Sequence, residues 1–250
     1  MDSILFWVAA LAITLVAGVA KGITGFALPM IMIGGLGSFL APDTALAMLI
    51  IPTLVANLVQ SFRHGAAAVL RAMARHRRFL AIMGVVVVAS AQLVALLPAR
   101  AMLATLGSVV ILFVVVRMAG WRPPVAAARQ KRVGDVAAVA AGLMGGVSGT
   151  WGPPTLIYLM TMRTERREVM LVQGVIYSVG SVMLVAGHAT SGILNAQTVP
   201  LSLAMLPAAL AGIAIGQLVG DRLDQRRFEQ FALALLLVAG LNLLRRGLLG

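Results

Sequence analysis

Apolar runs of 14 to 21 residues recur along the whole chain, at Ile4 to Ala20, Ile23 to Leu40, Ala45 to Ser61, Phe79 to Leu97, Met102 to Val116, Val169 to Gly187, Val199 to Val219 and Phe231 to Leu244. Most are of the length that carries a helix through a bilayer, and together they leave no stretch for a separate soluble domain. The 60% of hydrophobic and 11% of charged residues agree, because a soluble domain carries about 25% charge. The fold class expected is all-α, a polytopic membrane protein with the lipid bilayer as its surroundings.

The net charge of +12 does not point to nucleic acid, because such binding needs a basic face on a water-soluble fold. Sixteen of the twenty Lys and Arg residues fall instead in four short segments, at 63–78, 117–132, 163–167 and 222–227. The positive-inside rule makes these four segments cytoplasmic. The chain has no cysteine, which excludes disulfides, thiol catalysis and cysteine metal sites. His64 and His76 fall in the first basic segment and read as solvated, so neither a metal nor a cofactor is expected. The opening "MDSILFWVAA" has an aspartate where a signal peptide carries positive charge, so Ile4 onward reads as retained structure.

With those four segments inside, Phe79 to Leu97 and Met102 to Val116 run out and back, Val169 to Gly187 runs out, Val199 to Val219 returns and Phe231 to Leu244 exits. Both termini are then expected outside. The stretch Val133 to Met162 must enter and leave on one side, and its break at "GGVSGTWGPP" leaves arms of at most about 14 residues, roughly 21 Å against a 30 Å core. A re-entrant hairpin is expected there. Such irregular backbone survives at membrane depth only inside protein or around a wet cavity.

The break has a counterpart. "GITGFALP", Gly22 to Pro29, aligns without gaps on "GVSGTWGP", Gly146 to Pro153, 124 positions later. The expectation is a duplication: 1–120 as a first transmembrane repeat, 121–134 as a cytoplasmic basic linker and 135–250 as a second repeat. Each half would hold a broken-helix hairpin and three spans, an odd number of crossings, so the second repeat would be inverted.

At "GVAKGITGFALPMIMI", "AMLIIPTLVANLVQSFRHG" and "GLMGGVSGTWGPPTLIYLM" the chain resembles the sulfite exporter family TauE/SafE, over nearly its whole length. The resemblance implies a permease of the bacterial inner membrane that moves small anions, with sulfite, sulfonates and other organosulfur acids as the usual substrates. Phe26-Ala27-Leu28 stands where many relatives have a richer glycine run.

A membrane helix broken at glycine and restarted at proline exposes backbone N–H groups and the positive end of a dipole, which suits an anion. The first tip supplies Gly22, Thr24, Gly25 and Phe26. The second supplies Ser148, Gly149, Thr150, Trp151 and Gly152, and inversion would bring the two tips together near the midplane. Asn57, Ser181 and Tyr177 are polar positions on the spans that follow the hairpins. Asn57 corresponds to Ser181 at the shared offset, and Thr53, Asn57 and Gln60 share a helix face, as do Gln173, Tyr177 and Ser181. Lys21 sits beside the first tip, and near the bilayer centre it would cost about 2.5 to 3.5 kcal/mol. Compensation by a bound anion is the reading adopted. The other reading makes "AKGITG" a cytoplasmic turn between two full spans.

The chemistry expected is non-enzymatic, transport of a small anionic substrate, with homo-oligomeric association left open. A rival comes from Gly146-Val147-Ser148-Gly149, which fits the G-x-S-G of rhomboid-type intramembrane serine proteases, with Ser148 as nucleophile and His188 as base.

Overall fold

A computed structural model describes residues 4–120, 129–162, 166–220 and 225–249. Of the expected linker, 121–128 lie outside the described residues, as do 163–165 and 221–224 in the last two basic segments. Among the described residues every regular element is a helix: α1 (Ile4–Thr24), α2 (Leu28–Leu36), α3 (Pro42–Phe62), α4 (Ala66–Arg75), α5 (Arg77–Ala95), α6 (Ala99–Met118), α7 (Gln130–Ser148), α8 (Gly152–Thr161), α9 (Arg166–Ser191), α10 (Thr198–Gly220) and α11 (Gln225–Leu249). Seven of them, α1, α3, α5, α6, α9, α10 and α11, are long and apolar enough to cross a membrane.

Both expected breaks are present and share one backbone solution. Gly25 (φ 83°) and Gly149 (φ 68°) each end a helix in the left-handed region that side chains avoid. Each N–H donates back one turn at 2.7 Å, Gly25 to the Lys21 carbonyl and Gly149 to the Gly145 carbonyl. Proline then restarts the chain, Pro29 in α2 and Pro153-Pro154 in α8, where the missing N–H removes a donor that has no intrahelical partner.

Three expectations need correction. Ile23 to Leu40 is not a span, because the break reduces it to the 9 residues of α2, ~13 Å of helix. The arms of the second hairpin do not both stay within about 14 residues, since α7 has 19 residues and α8 has 10, making a long arm and a short one. The first basic segment is not a plain loop. It folds as α4, with Val69 and Ala72 buried and arginines exposed, and its corner with α5 buries His76 to 2% exposure. His76 is therefore not solvated: its Nδ1 lies 2.8 Å from the Tyr158 hydroxyl.

Without a hydrophobic drive between helices in lipid, close backbone packing decides which helices pair. α1 lies on α10 through Gly18 and Gly22 against Gly212 and Gly216, so closely that a Cβ on Gly18 would stand 2.5 Å from the Ala209 carbonyl oxygen. α6 lies on α11 in the same way, where a Cβ on Gly107 would stand 2.6 Å from the Leu244 nitrogen. The other long helices form one run of neighbours, α1–α10–α3–α9–α5–α7. Exchanging the halves leaves these neighbours unchanged: α1 on α10 becomes α7 on α5, α3 on α10 becomes α9 on α5, and α3–α9 and α6–α11 map onto themselves.

Candidate functional site

Lys21 occupies the last turn of α1, where the exposed carbonyls of a helix end favour a cation. Its side chain is 4% exposed. Nζ donates to Asn57 Oδ1 (2.6 Å), Gln60 Oε1 (3.0 Å) and the Gly25 carbonyl (3.2 Å), which uses all three ammonium protons on neutral oxygens. Among the described residues it makes no ion pair. Lys21 lies beside the last two turns of α3, where it is buried and held by three acceptors rather than exposed in a turn.

Asn57 links this cation to the second half. Its Nδ2 donates to Ser181 Oγ at 2.7 Å and to the Tyr177 carbonyl at 3.3 Å, so the two positions matched at the 124 offset touch each other. Ser181 Oγ donates to the Tyr177 carbonyl (2.6 Å), and Gln173 Nε2 donates to the Tyr177 hydroxyl (3.0 Å). The Tyr177 ring centroid lies 6.0 Å from Lys21 Nζ.

The two tips share a central cavity. Phe26, Pro29 and Met30 line it from the first, Thr150, Trp151 and Gly152 from the second, and Asn57 and Tyr177 from the side. It is closed down to the size of about one water. A second cavity of about 280 Å³ reaches Lys21 from the basic-segment end, past Arg63, His64, Gln60, Met170 and Gln217. No side chain caps α2 or α8, so their first N–H groups are left for water or a ligand. The tips are unequal donors, since Pro153 and Pro154 remove two N–H groups from α8. Buried donors also stand without partners nearby: Trp151 Nε1, held between Gly145 and Gly180, and Gln60 Nε2. The Thr53 hydroxyl on α3 is a third buried group with no partner.

Of the expected site residues, Lys21, Phe26, Asn57, Thr150, Trp151, Gly152, Tyr177 and Ser181 converge here. Gly22 and Gly25 line the second cavity beside Lys21. Gly22 packs on Gly216, Gly25 and Gly149 make the breaks, Thr24 donates to the Ala20 carbonyl (2.8 Å), and Ser148 donates to the Met144 carbonyl (2.8 Å) while pairing with Thr150 (2.7 Å).

Ser148 and His188 are not joined. His188 Nε2 lies 2.9 Å from the Gly146 carbonyl, which can only accept, and Nδ1 lies 3.3 Å from Ser191 Oγ. Both ring nitrogens are engaged away from Ser148, so this arrangement contains no nucleophile and base pair. His188 pins the second hairpin to α9 instead.

Sequence reasoning missed Arg117, which it assigned to a cytoplasmic segment. The last turn of α6 sets its guanidinium 5.3 Å from the Phe26 ring centroid, and Phe113, one turn earlier, lies 5.4 Å from the same ring. The i, i+4 spacing of Phe113 and Arg117 could have suggested a shared face, but nothing in the sequence pointed that face at Phe26.

Comparison with curated proteins and with solved structures finds no match. Comparison with protein families matches residues 10–243, both hairpins and the spans around them, to the family described as Sulfite exporter TauE/SafE, and the chain belongs to that family.

Proposed function

We propose that this chain carries a small anion, sulfite, a sulfonate or another organosulfur acid, across the bacterial inner membrane by alternating access, binding it between the two hairpin tips. One observation carries the reading: Lys21 is buried on neutral acceptors, with no carboxylate among the described residues that hold it, in the lining of a cavity that Arg63 also lines. A buried cation with its hydrogen bonds made but its charge unmatched is stabilised by an anion that arrives from solution. The unpartnered Trp151 and Gln60 donors favour the same acceptor-rich ligand.

The two halves, 1–120 and 135–250, are inverted repeats in this reading, with 121–134 as the cytoplasmic linker and both termini outside. The neighbour pattern that survives exchange of the halves supports the duplication. The packing supports alternation. The six helices from α1 to α7 in contact order form a scaffold, and the α6–α11 pair touches it more lightly, through α2, α8 and the adjoining helix faces. Movement of this pair against the scaffold opens the central cavity, now too small for any oxyanion, to one side and then the other.

Thermal unfolding of the purified protein tests the binding claim across sulfite, thiosulfate, sulfate, taurine, sulfoacetate and simple carboxylates. An anion at a hundred times its dissociation constant adds roughly 2.7 kcal/mol, and Lys21→Met loses that gain. A wild type left unmoved by every anion, or a Lys21→Met variant stabilised as strongly, overturns the reading.

A further inference from the structure

We propose that the corner between α4 and α5 binds the phosphate headgroup of an anionic phospholipid, through Arg71, Arg75, Lys131 and the buried imidazole of His76. This site is separate from the tips and does not rest on the transport reading.

Two cavities flank the corner. One, of about 390 Å³, is lined by Arg75, His76 and Arg78, by Lys131 and Asp135 of α7 and by Tyr158 of α8. The other, of about 300 Å³, lies between α4 and α9, with Arg71 and Arg75 from α4 and Glu168, Leu171 and Val172 from α9. Arg75 and His76 line both, so the corner is their common wall. Four cations and two carboxylates line the two cavities together. The ion pairs there, Arg75 to Glu168 at 3.1 Å and Arg78 to Asp135 at 2.7 Å, are exposed and worth little. Each arginine also keeps N–H donors that its carboxylate does not use. Arg71 closes no ion pair among the described residues, and Lys131 acts on Asp135 without closing a pair with it. The corner therefore holds an excess of positive charge that an oxyanion neutralises.

His76 sets this corner apart from an ordinary basic surface. It is 2% exposed, its Nδ1 lies 2.8 Å from the Tyr158 hydroxyl, and its Nε2 is buried with no partner. When that hydroxyl donates to Nδ1, the ring proton sits on Nε2 and lacks an acceptor. A phosphate oxygen drawn in beside Arg75 supplies one. Two features favour a lipid over a free phosphate. α4, with 10 residues, is too short to cross a bilayer and joins the ends of two spans, α3 and α5, which places it at headgroup depth. It also presents Leu70 (66% exposed) and Met73 among its arginines, and α9 adds Leu171 and Val172 to the smaller cavity. A phosphate that carries acyl chains covers both the charge and this apolar surface, whereas a free phosphate covers the charge alone.

The test is thermal unfolding of the delipidated full-length protein in detergent, with phosphatidylglycerol, phosphatidylcholine or inorganic phosphate added. Phosphatidylglycerol is expected to raise the unfolding temperature saturably, and the other two are not. Arg75→Gln with Lys131→Gln is expected to weaken phosphatidylglycerol affinity about tenfold or more. Arg100→Gln with Arg245→Gln removes the same charge from exposed positions at the far ends of α6 and α11 and is expected to leave the affinity unchanged. His76→Phe is expected to weaken it several-fold. In the wild type, phenylglyoxal labelling of Arg75, read on its peptide by mass spectrometry, is expected to be slowed by phosphatidylglycerol and not by phosphatidylcholine; this arm does not depend on a variant folding. No stabilisation by phosphatidylglycerol, equal affinity in the two double variants, or labelling of Arg75 that the lipid leaves unchanged overturns the site. Full affinity in His76→Phe overturns the part given to the imidazole. Equal stabilisation by inorganic phosphate, lost in Arg75→Gln with Lys131→Gln, makes the occupant a free phosphate and overturns the lipid assignment.

Discussion

Gln60 offers the sharpest test at the scale of a single residue. Its Oε1 accepts from Lys21 at 3.0 Å while its Nε2 is buried with no partner. Gln60→Glu is close to isosteric, keeps the bond to Lys21 and replaces an unused amide with a negative charge. The variant therefore carries the counter-ion that the wild type lacks. Its unfolding temperature without ligand is expected to rise, by about 1 to 3 kcal/mol of added stability, while stabilisation by added anions disappears. Anion stabilisation as large as that of the wild type would show that the Lys21 charge is not what the ligand answers. His76 gives a second test, in pH. Burial lowers its pKa first, Arg75 lowers it further, and Glu168 opposes both. The folded protein thus binds a proton here less readily than the unfolded chain does. Stability from this group is complete above about pH 6.5 and declines as pH falls below it. Unfolding temperatures at pH 8 and pH 5 are expected to differ less in His76→Gln than in the wild type.

At the scale of the element, the two breaks depend on glycine for a stated reason. Gly149→Ala forces a side chain into φ 68° and sets its Cβ 2.9 Å from Leu49 Cδ1. A loss of about 1 to 2 kcal/mol in unfolding free energy is expected from the backbone alone. Gly212→Val is expected to be worse, because its Cβ would meet the Leu15 carbonyl and the Val19 nitrogen of α1, and neither can move aside. Recovery of folded Gly212→Val protein at wild-type yield would contradict the close α1–α10 contact. The breaks were legible because glycine followed by proline has few meanings inside an apolar run, and the gapless match at 124 gave each break a partner. The same offset matched Asn57 to Ser181, though not their contact, which only the packing shows. The unequal arms were not legible, because in lipid an apolar residue reads alike in a buried short arm and in a span. Nor was α4, since a basic amphipathic turn and a basic loop have the same composition. Arg117 escaped because positive-inside counting assigns every arginine near a span end to topology, and only packing shows that this one turns back onto Phe26.

At the scale of the whole molecule, the packing divides the chain into a scaffold of six long helices and an α6–α11 pair, with the proposed anion site on the seam. The absence of native cysteine makes this division testable by paired substitutions. Ile111→Cys with Gly240→Cys joins α6 to α11 within the pair, where a Cβ on Gly240 lies 3.0 Å from Ile111 Cγ1, and a cross-link there is expected to leave transport intact. Phe26→Cys with Phe113→Cys joins the first tip to α6 across the seam. Its cross-link is expected to stop transport until the bridge is reduced, and the opposite pair of results would place the moving boundary elsewhere. In the proposed cycle the buried, unmatched Lys21 is the charge that carries an anion through the tips. The direct measurement is flux of labelled sulfite, taurine and sulfoacetate in proteoliposomes, for the wild type beside Lys21→Met. Saturable flux of at least one of them is expected, with a fall in kcat/KM of about tenfold or more in Lys21→Met. Equal flux in the two proteins, or no flux of any anion in a folded wild type, would contradict it.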